Sequence, residues 1–258
     1  AGVALGRTGR PRYSRYAYAA SPDLDDRRVR VAWYEQYNGV FLENQNGTTD
    51  DGLDATVDPD RDPAYLIDAE YVTDATGPVV ALGNVLPGDE GTLVVALEAV
   101  DDASLALEPL DVWLQTAITA DSESGINGPE QAALDTTTDA GELADELFVE
   151  LWRDGSPLGS CNGVKNFGEQ LESPVVELAS IREAFGPTAP VGGDTGVLVV
   201  ESFRPGESRC FALSWAFPLD VATNRSQGDS VSFAITFGAV PSGSSSPFSD
   251  SSEGTDGR

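Results

Sequence analysis

The chain has 258 residues, 40% of them hydrophobic and 22% charged; 15 basic against 43 acidic residues give a formal net charge of −28, with no histidine. That is enough apolar material for a sizeable core, and an all-β chain of this length commonly stays a single domain. The acidic body repels phosphate, so no nucleic-acid partner is expected. No run of about 20 apolar residues is present, so no membrane span is expected.

The charge is unevenly placed. Residues 1–30 carry seven arginines against three aspartates, and the remaining 228 residues carry eight basic against 40 acidic side chains. Only one lysine, Lys165, stands among them. Acid this dense strains a fold by self-repulsion in dilute buffer, whereas at 1 M salt the screening length is about 3 Å. The composition is that of chains from salt-saturated cells. Residues 1–26 read as an extended basic arm, with Tyr13, Tyr16 and Tyr18 interleaved with Arg12 and Arg15, a pattern that suits a strand.

Val29, Val31 and Trp33 alternate with Arg28, Arg30 and Ala32, which predicts a half-buried strand. Asn38-Gly39 between Tyr34–Tyr37 and Val40–Glu43 predicts a hairpin with a type I′ turn. Residues 44–63 form an acidic loop. Strands are predicted over 64–72, 78–82, 92–100, 110–120, 147–153, 197–203, 210–217 and 230–238, with 121–141 a polar connection. Pro205-Gly206 presets the turn before Cys210. One short helix is predicted near 174–185, capped by Ser173 with Pro174 at its first position and stopped by Gly186-Pro187. Leu178, Ile181 and Phe185 fall on its inner stripe. About nine strands and one short helix read as an all-β jelly roll or β-sandwich over 27–241. The Ser/Gly-rich tail, 242–258, is predicted to be flexible.

The chemistry of catalysis is sparse. Without histidine there is neither a Ser–His–Asp triad nor a histidine metal site. A carboxylate pair for glycoside hydrolysis can be drawn anywhere among 43 acids, so it carries no specificity. No enzyme is expected and no organic cofactor is implied. Cys161 and Cys210 read as one disulfide of an oxidising compartment, with two buried thiols as the alternative. Asn46 and Asn224 begin N-glycosylation sequons. The start at Ala1 fits removal of a secretory signal, and with the sequons and even cysteine count it predicts a secreted, cell-surface protein. Asp58, Asp60 and Asp62 alternate like the start of an EF-hand loop. Pro63 and Ala69 break that pattern, which leaves a calcium loop of another type as the candidate metal site. Trp33, Trp113, Trp152 and Trp215 read as core rather than as a sugar-binding platform.

Four segments carry a resemblance: Gly83–Leu93 with its Pro87-Gly88-Asp89 turn, Leu147–Asp154, Arg209–Trp215 and Gln227–Phe233. In this order they resemble secreted proteins of halophilic archaea with SipW-type signals, related to the TasA/camelysin group of matrix proteins. The aromatic-Ser-Asp start of mature TasA-like chains is replaced here by Tyr16-Ala-Tyr-Ala-Ala-Ser-Pro22. The resemblance implies a jelly-roll subunit that polymerises outside the cell by inserting the N-terminal segment of one copy into the sheet of the next. The expected partners are other copies of the chain. Arg7, Arg10, Arg12, Tyr13, Arg15, Tyr16 and Tyr18 form the candidate donor segment. The alternative is a monomeric surface adhesin that binds glycans or calcium.

Overall fold

A computed structural model describes residues 13–21, 28–42, 69–72, 75–100, 107–123, 125–135, 141–156 and 159–248. Two sheets form an all-β sandwich. The strands of the larger sheet are β1 (Arg15–Tyr18), β2 (Val29–Tyr37), β3 (Val40–Phe41), β4 (Glu70–Tyr71), β6 (Glu90–Ala99), β8 (Phe148–Arg153), β11 (Val176–Ser180) and β13 (Ser208–Ala216). Their order is β11-β8-β13-β6-β2-β1-β4, with β3 also paired to β2. The smaller sheet orders β12 (Val197–Phe203), β7 (Leu110–Ser122), β14 (Ser230–Pro241) and β5 (Val79–Gly83) as β12-β7-β14-β5. A short ribbon, β9 (Gly155–Ser156) with β10 (Gly159–Ser160), completes fourteen strands among the described residues, more than the nine expected.

The core lies between the sheets. Val29, Val31 and Trp33 of β2 face the same side as Leu93, Val95 and Leu97 of β6 and as Phe211 and Leu213 of β13. Val231, Phe233, Ile235 and Phe237 of β14 meet them, as their period-2 alternation predicts. Phe211 and Phe237 contact across the gap with ring centroids 6.2 Å apart.

The larger sheet is also buried on its outer face, which the alternation in β2 did not predict. Ala32 and Tyr34 of β2, Val94 and Ala96 of β6, Cys210 and Ala212 of β13, Trp152 and Tyr16 form a second apolar cluster there. Arg30, expected to point outward into water, is only 6% exposed. The segment after β8 covers this face, held by the Cys161–Cys210 disulfide and by the Tyr34 hydroxyl, which donates to the Cys161 carbonyl at 2.9 Å. Gly163 lies so close that a Cβ there would come within 2.9 Å of the Thr92 and Val94 side chains; its φ of +71° also favours glycine.

The hairpin forms as expected. Asn38 and Gly39 have φ of +46° and +77°, and Tyr37 pairs with Val40. The predicted helix is corrected: Val176–Ser180 is strand β11 on β8, and only Ile181–Phe185 is helical (α3), capped by Ser180 rather than Ser173. The Ser180 hydroxyl accepts the Glu183 N–H at 3.2 Å. Ile181 and Phe185 are buried, but Leu178 is exposed. The polar connection holds two unpredicted helices, α1 (Gly128–Ala132) and α2 (Leu143–Glu146). The start of the tail packs rather than floats. Ser242 Oγ and Gly243 N donate to Asp111, each at 2.8 Å, and Ser246 Oγ donates to the Thr195 carbonyl at 2.5 Å. Burial opposes ionisation of Asp111, but these bonds and one from Ser202 N hold its carboxyl below the usual range. Among the described residues no helix is long and apolar enough to cross a membrane.

Candidate assembly site

The N-terminal segment occupies a slot at the edge of the sandwich. Arg15, Tyr16, Ala17 and Tyr18 pair antiparallel with Trp33, Ala32, Val31 and Arg30, while Arg15 and Tyr16 pair parallel with Glu70 and Tyr71. Ser14 N donates to the Trp33 carbonyl at 3.0 Å and Ala19 N to Val29 at 2.9 Å. The segment then crosses to the other sheet. Ala20 N donates to the Phe237 carbonyl, and the Ala20 carbonyl accepts from Ala239 N, both at 2.7 Å. A single segment of eight residues, 13–20, thus fills the place between β2 and β4 in the larger sheet and reaches β14 of the smaller sheet through Ala20.

Its side chains divide by face. Ala17 is fully buried in the central core. Tyr13 and Tyr16, 4% and 3% exposed, enter the outer cluster. Tyr13 lies 5.7 Å from the Tyr34 ring, and its hydroxyl is 3.9 Å from Cys210 Sγ. Tyr16 stacks on Tyr71 at 5.1 Å, and Tyr18 meets the same ring edge-on at 6.0 Å. The Arg30 guanidinium lies 6.0 Å from the Tyr18 ring and pairs with Glu98 at 3.1 Å. Burial, and then the nearby Asp154 charge, push the Tyr34 hydroxyl pKa upward, so it stays a neutral donor. Tyr13, Arg15, Tyr16 and Tyr18 of the candidate donor segment therefore lie on this one paired segment. Arg7, Arg10 and Arg12 lie outside the described residues. Tyr34, Tyr71 and Arg30, which the segment meets, were not singled out from the sequence as site residues.

Beneath the covering segment, Asp154 is fully buried and its Oδ2 accepts the Gly163 N–H at 2.7 Å. Desolvation raises its carboxyl to about 6, against the opposing Gly163 hydrogen bond. Lys165 pairs with Glu150 and lies 5.8 Å from the Trp152 ring. Trp33, Trp152 and Trp215 are buried in the two clusters, and Trp113 is half-buried on β7. Asn224 is exposed on the turn before β14, while Ser226 of its sequon is buried and donates to Glu146 at 2.7 Å. Asn46 and the calcium candidates Asp58, Asp60 and Asp62 lie outside the described residues.

A different carboxylate group forms at the far end of β14. Oxygens of Glu123, Glu142 and Asp229 all lie within 4.8 Å of one another. Each comes from a different place: the end of β7, the N-cap of α2 and the residue before β14. Glu130 of α1 stands beside them, in a capping box where Asn127 N donates to Glu130 Oε2 at 2.5 Å. Desolvation and the facing carboxylates Asp229, Glu130 and Glu142 push Glu123 up to about 7.

No protein-family model matches the chain, and no curated protein is significantly similar to it. The structure defines the class, an all-β sandwich with a disulfide-pinned outer layer.

Proposed function

We propose that the protein is a structural subunit of an extracellular filament, and that copies join head to tail when the N-terminal strand of one enters the slot of the next. The observation that carries this reading is the seating of residues 13–20, which fill the place between β2 and β4, reach β14 through Ala20 and bury two tyrosines and two alanines. A segment held this way uses the same backbone bonds and pockets whether it comes from its own chain or a neighbour, which is the basis of strand addition. A head-to-tail contact that does not close extends into a fibre. Backbone pairing and aromatic burial form the grip. The arginines contribute less, because exposed ion pairs are weak in salt. The partner is another copy of the chain, and the sequons and disulfide suit a glycosylated, secreted protein.

A second reading, a closed monomeric surface module that binds glycans or calcium, is favoured by the pairing of β1 within its own chain. Two measurements separate them. Deleting residues 1–20 gives a folded monomer that forms no fibres by electron microscopy, and fibres from the truncated chain overturn strand donation. Tyr16 and Ala32 are cross-strand partners, so Tyr16→Cys with Ala32→Cys reports the pairing on oxidation. Donation yields a ladder of linked chains on a denaturing gel; the closed monomer yields only internally bridged single chains.

A further inference from the structure

The carboxylate group at the end of β14 carries an inference independent of assembly. Two oxygens bound to one calcium ion at about 2.4 Å can be at most about 4.8 Å apart, the limit that Glu123, Glu142 and Asp229 meet. Proximity of acids alone would be ordinary on so acidic a chain. Burial distinguishes this group. Asp229 is 1% exposed; its Oδ2 accepts the Glu142 N–H at 2.8 Å, and its Oδ1, shielded from water, has no donor among the described residues. Glu130, also 1% exposed, accepts the Asn127 N–H at Oε2 and has a buried Oε1 with no donor among the described residues. Both carboxylate oxygens of Glu123 are shielded from water and have no donor among the described residues. Buried carboxylate oxygens without donors are costly, and a proton or a cation among them offsets that cost. Arg182 approaches this end but is taken by Asp121 and Asp145, at 2.8 Å each, and by the Gly141 carbonyl at 3.1 Å.

The surroundings fix the carboxylates before any ion arrives. Gly228, at φ +100°, makes the turn that delivers Asp229. A Cβ at Gly141 would come within 2.7 Å of the Asp229 carboxyl, so the backbone clasps it closely. Asn127 Nδ2 donates to the Gln227 carbonyl at 2.5 Å, which ties the α1 cap to the same turn.

We infer that Glu123, Glu142 and Asp229, with Glu130 beside them, form a calcium site that joins the connection after β7 to the start of β14. An all-oxygen, carboxylate-rich donor set selects a hard divalent cation. Calcium suits a crowded, irregular set of carboxylates better than magnesium, which holds its waters and demands octahedral geometry. The site lies about 30 Å along β14 from the Ala20 bridge, at 3.4 Å per residue, so its loss leaves the strand slot intact.

The test uses the full chain stripped with EDTA, in 1 M NaCl to suppress diffuse binding to its acidic surface. Calorimetric titration with calcium shows one saturable site that involves Glu123, and the melting midpoint rises by several degrees; magnesium does less. Glu123→Gln raises the Kd by about tenfold or more. In EDTA the same variant is at least as stable as the parent, because one facing charge is gone. Glu142→Gln gives the same pattern independently. Asp58→Asn with Asp60→Asn and Asp62→Asn leaves this site unchanged. Absence of a saturable site, retention of it in both glutamine variants, or its loss only in the triple asparagine variant overturns the inference. In the last two cases the calcium is bound elsewhere.

Discussion

The two ends of β14 solve one problem in opposite ways. Near Gly238 the strand is bonded by Ala20, the end of a segment, 13–20, that pairs with β2 and buries its rings in the outer cluster. Near Ser230 the connections converge as facing carboxylates, whose repulsion a proton or an ion among them would offset. The first end is held by directional pairing and apolar contact, which salt hardly weakens. The second is held by local charge, which depends on what the medium supplies. Perturbations of the outer layer and slot should therefore act alike with or without divalent ions, whereas those at the carboxylate end should not.

The largest expected effect breaks the outer layer that roofs the slot. The Cys161–Cys210 bridge spans 49 residues, and closing such a loop contributes about 4 kcal/mol by loop-entropy arguments. Cys161→Ser with Cys210→Ser should lower stability by that order in denaturant titration, with or without calcium. The same change frees the covering segment from the Tyr13 and Tyr34 rings, so hydrogen exchange in β1 should accelerate. Next comes Tyr16→Ala, which empties a buried site between Ala32 and Tyr71. A loss of about 3 kcal/mol is expected. On the proposed strand donation, the destabilisation is matched by weaker fibre formation, because the same Tyr16 contact would hold the neighbouring copy.

How far the sequence announced these regions differs for physical reasons. Period-2 alternation marked β14 and β6, and Asn38-Gly39 marked its turn, because each depends on neighbours in the chain. β2 was misjudged because its outer face is buried by a segment more than a hundred residues away, and no local pattern encodes that cover. Ser173-Pro174 was a sound helix start by local rules, yet Val176–Ser180 gains more by pairing with the edge of β8. The missed α1 was in fact written locally: Asn127, Pro129 and Glu130 stand at cap, early-turn and capping-box positions. The carboxylate group was hidden. Glu123, Glu142 and Asp229 are far apart in the chain and lie among 43 acids, so only the fold selects them.

A pH titration sharpens the contrast within the outer layer itself. Asp154, buried under the disulfide segment, has a folded value of about 6 against an ordinary 3.8. The folded state therefore binds more protons than the unfolded chain between these values, and stability falls as pH rises from about 4 to 6. A shift of that size corresponds to about 2 to 3 kcal/mol. Asp154→Asn keeps an oxygen to accept the Gly163 N–H and removes the titration. Its stability relative to the parent should rise across this window and then level off above about pH 7. A parent-minus-variant difference that stays flat from pH 4 to 6 would show that Asp154 is ionised in the fold at no cost.

The smallest effect tests the carboxylate end. Asn127 caps α1, accepting the Glu130 N–H at 3.2 Å, and also donates to Gln227. Asn127→Ala should cost about 1 kcal/mol as a cap loss. If the cap only ends a helix, that cost is the same in EDTA and in calcium. If it also positions Glu130 and the Gln227–Asp229 turn around an ion, the cost grows in calcium, because the variant loses part of the ion's stabilisation as well as the cap. The double comparison, parent and variant with and without calcium, isolates that coupling. The same substitution should leave the hydrogen-exchange protection of β1 unchanged, since the slot lies at the other end of β14.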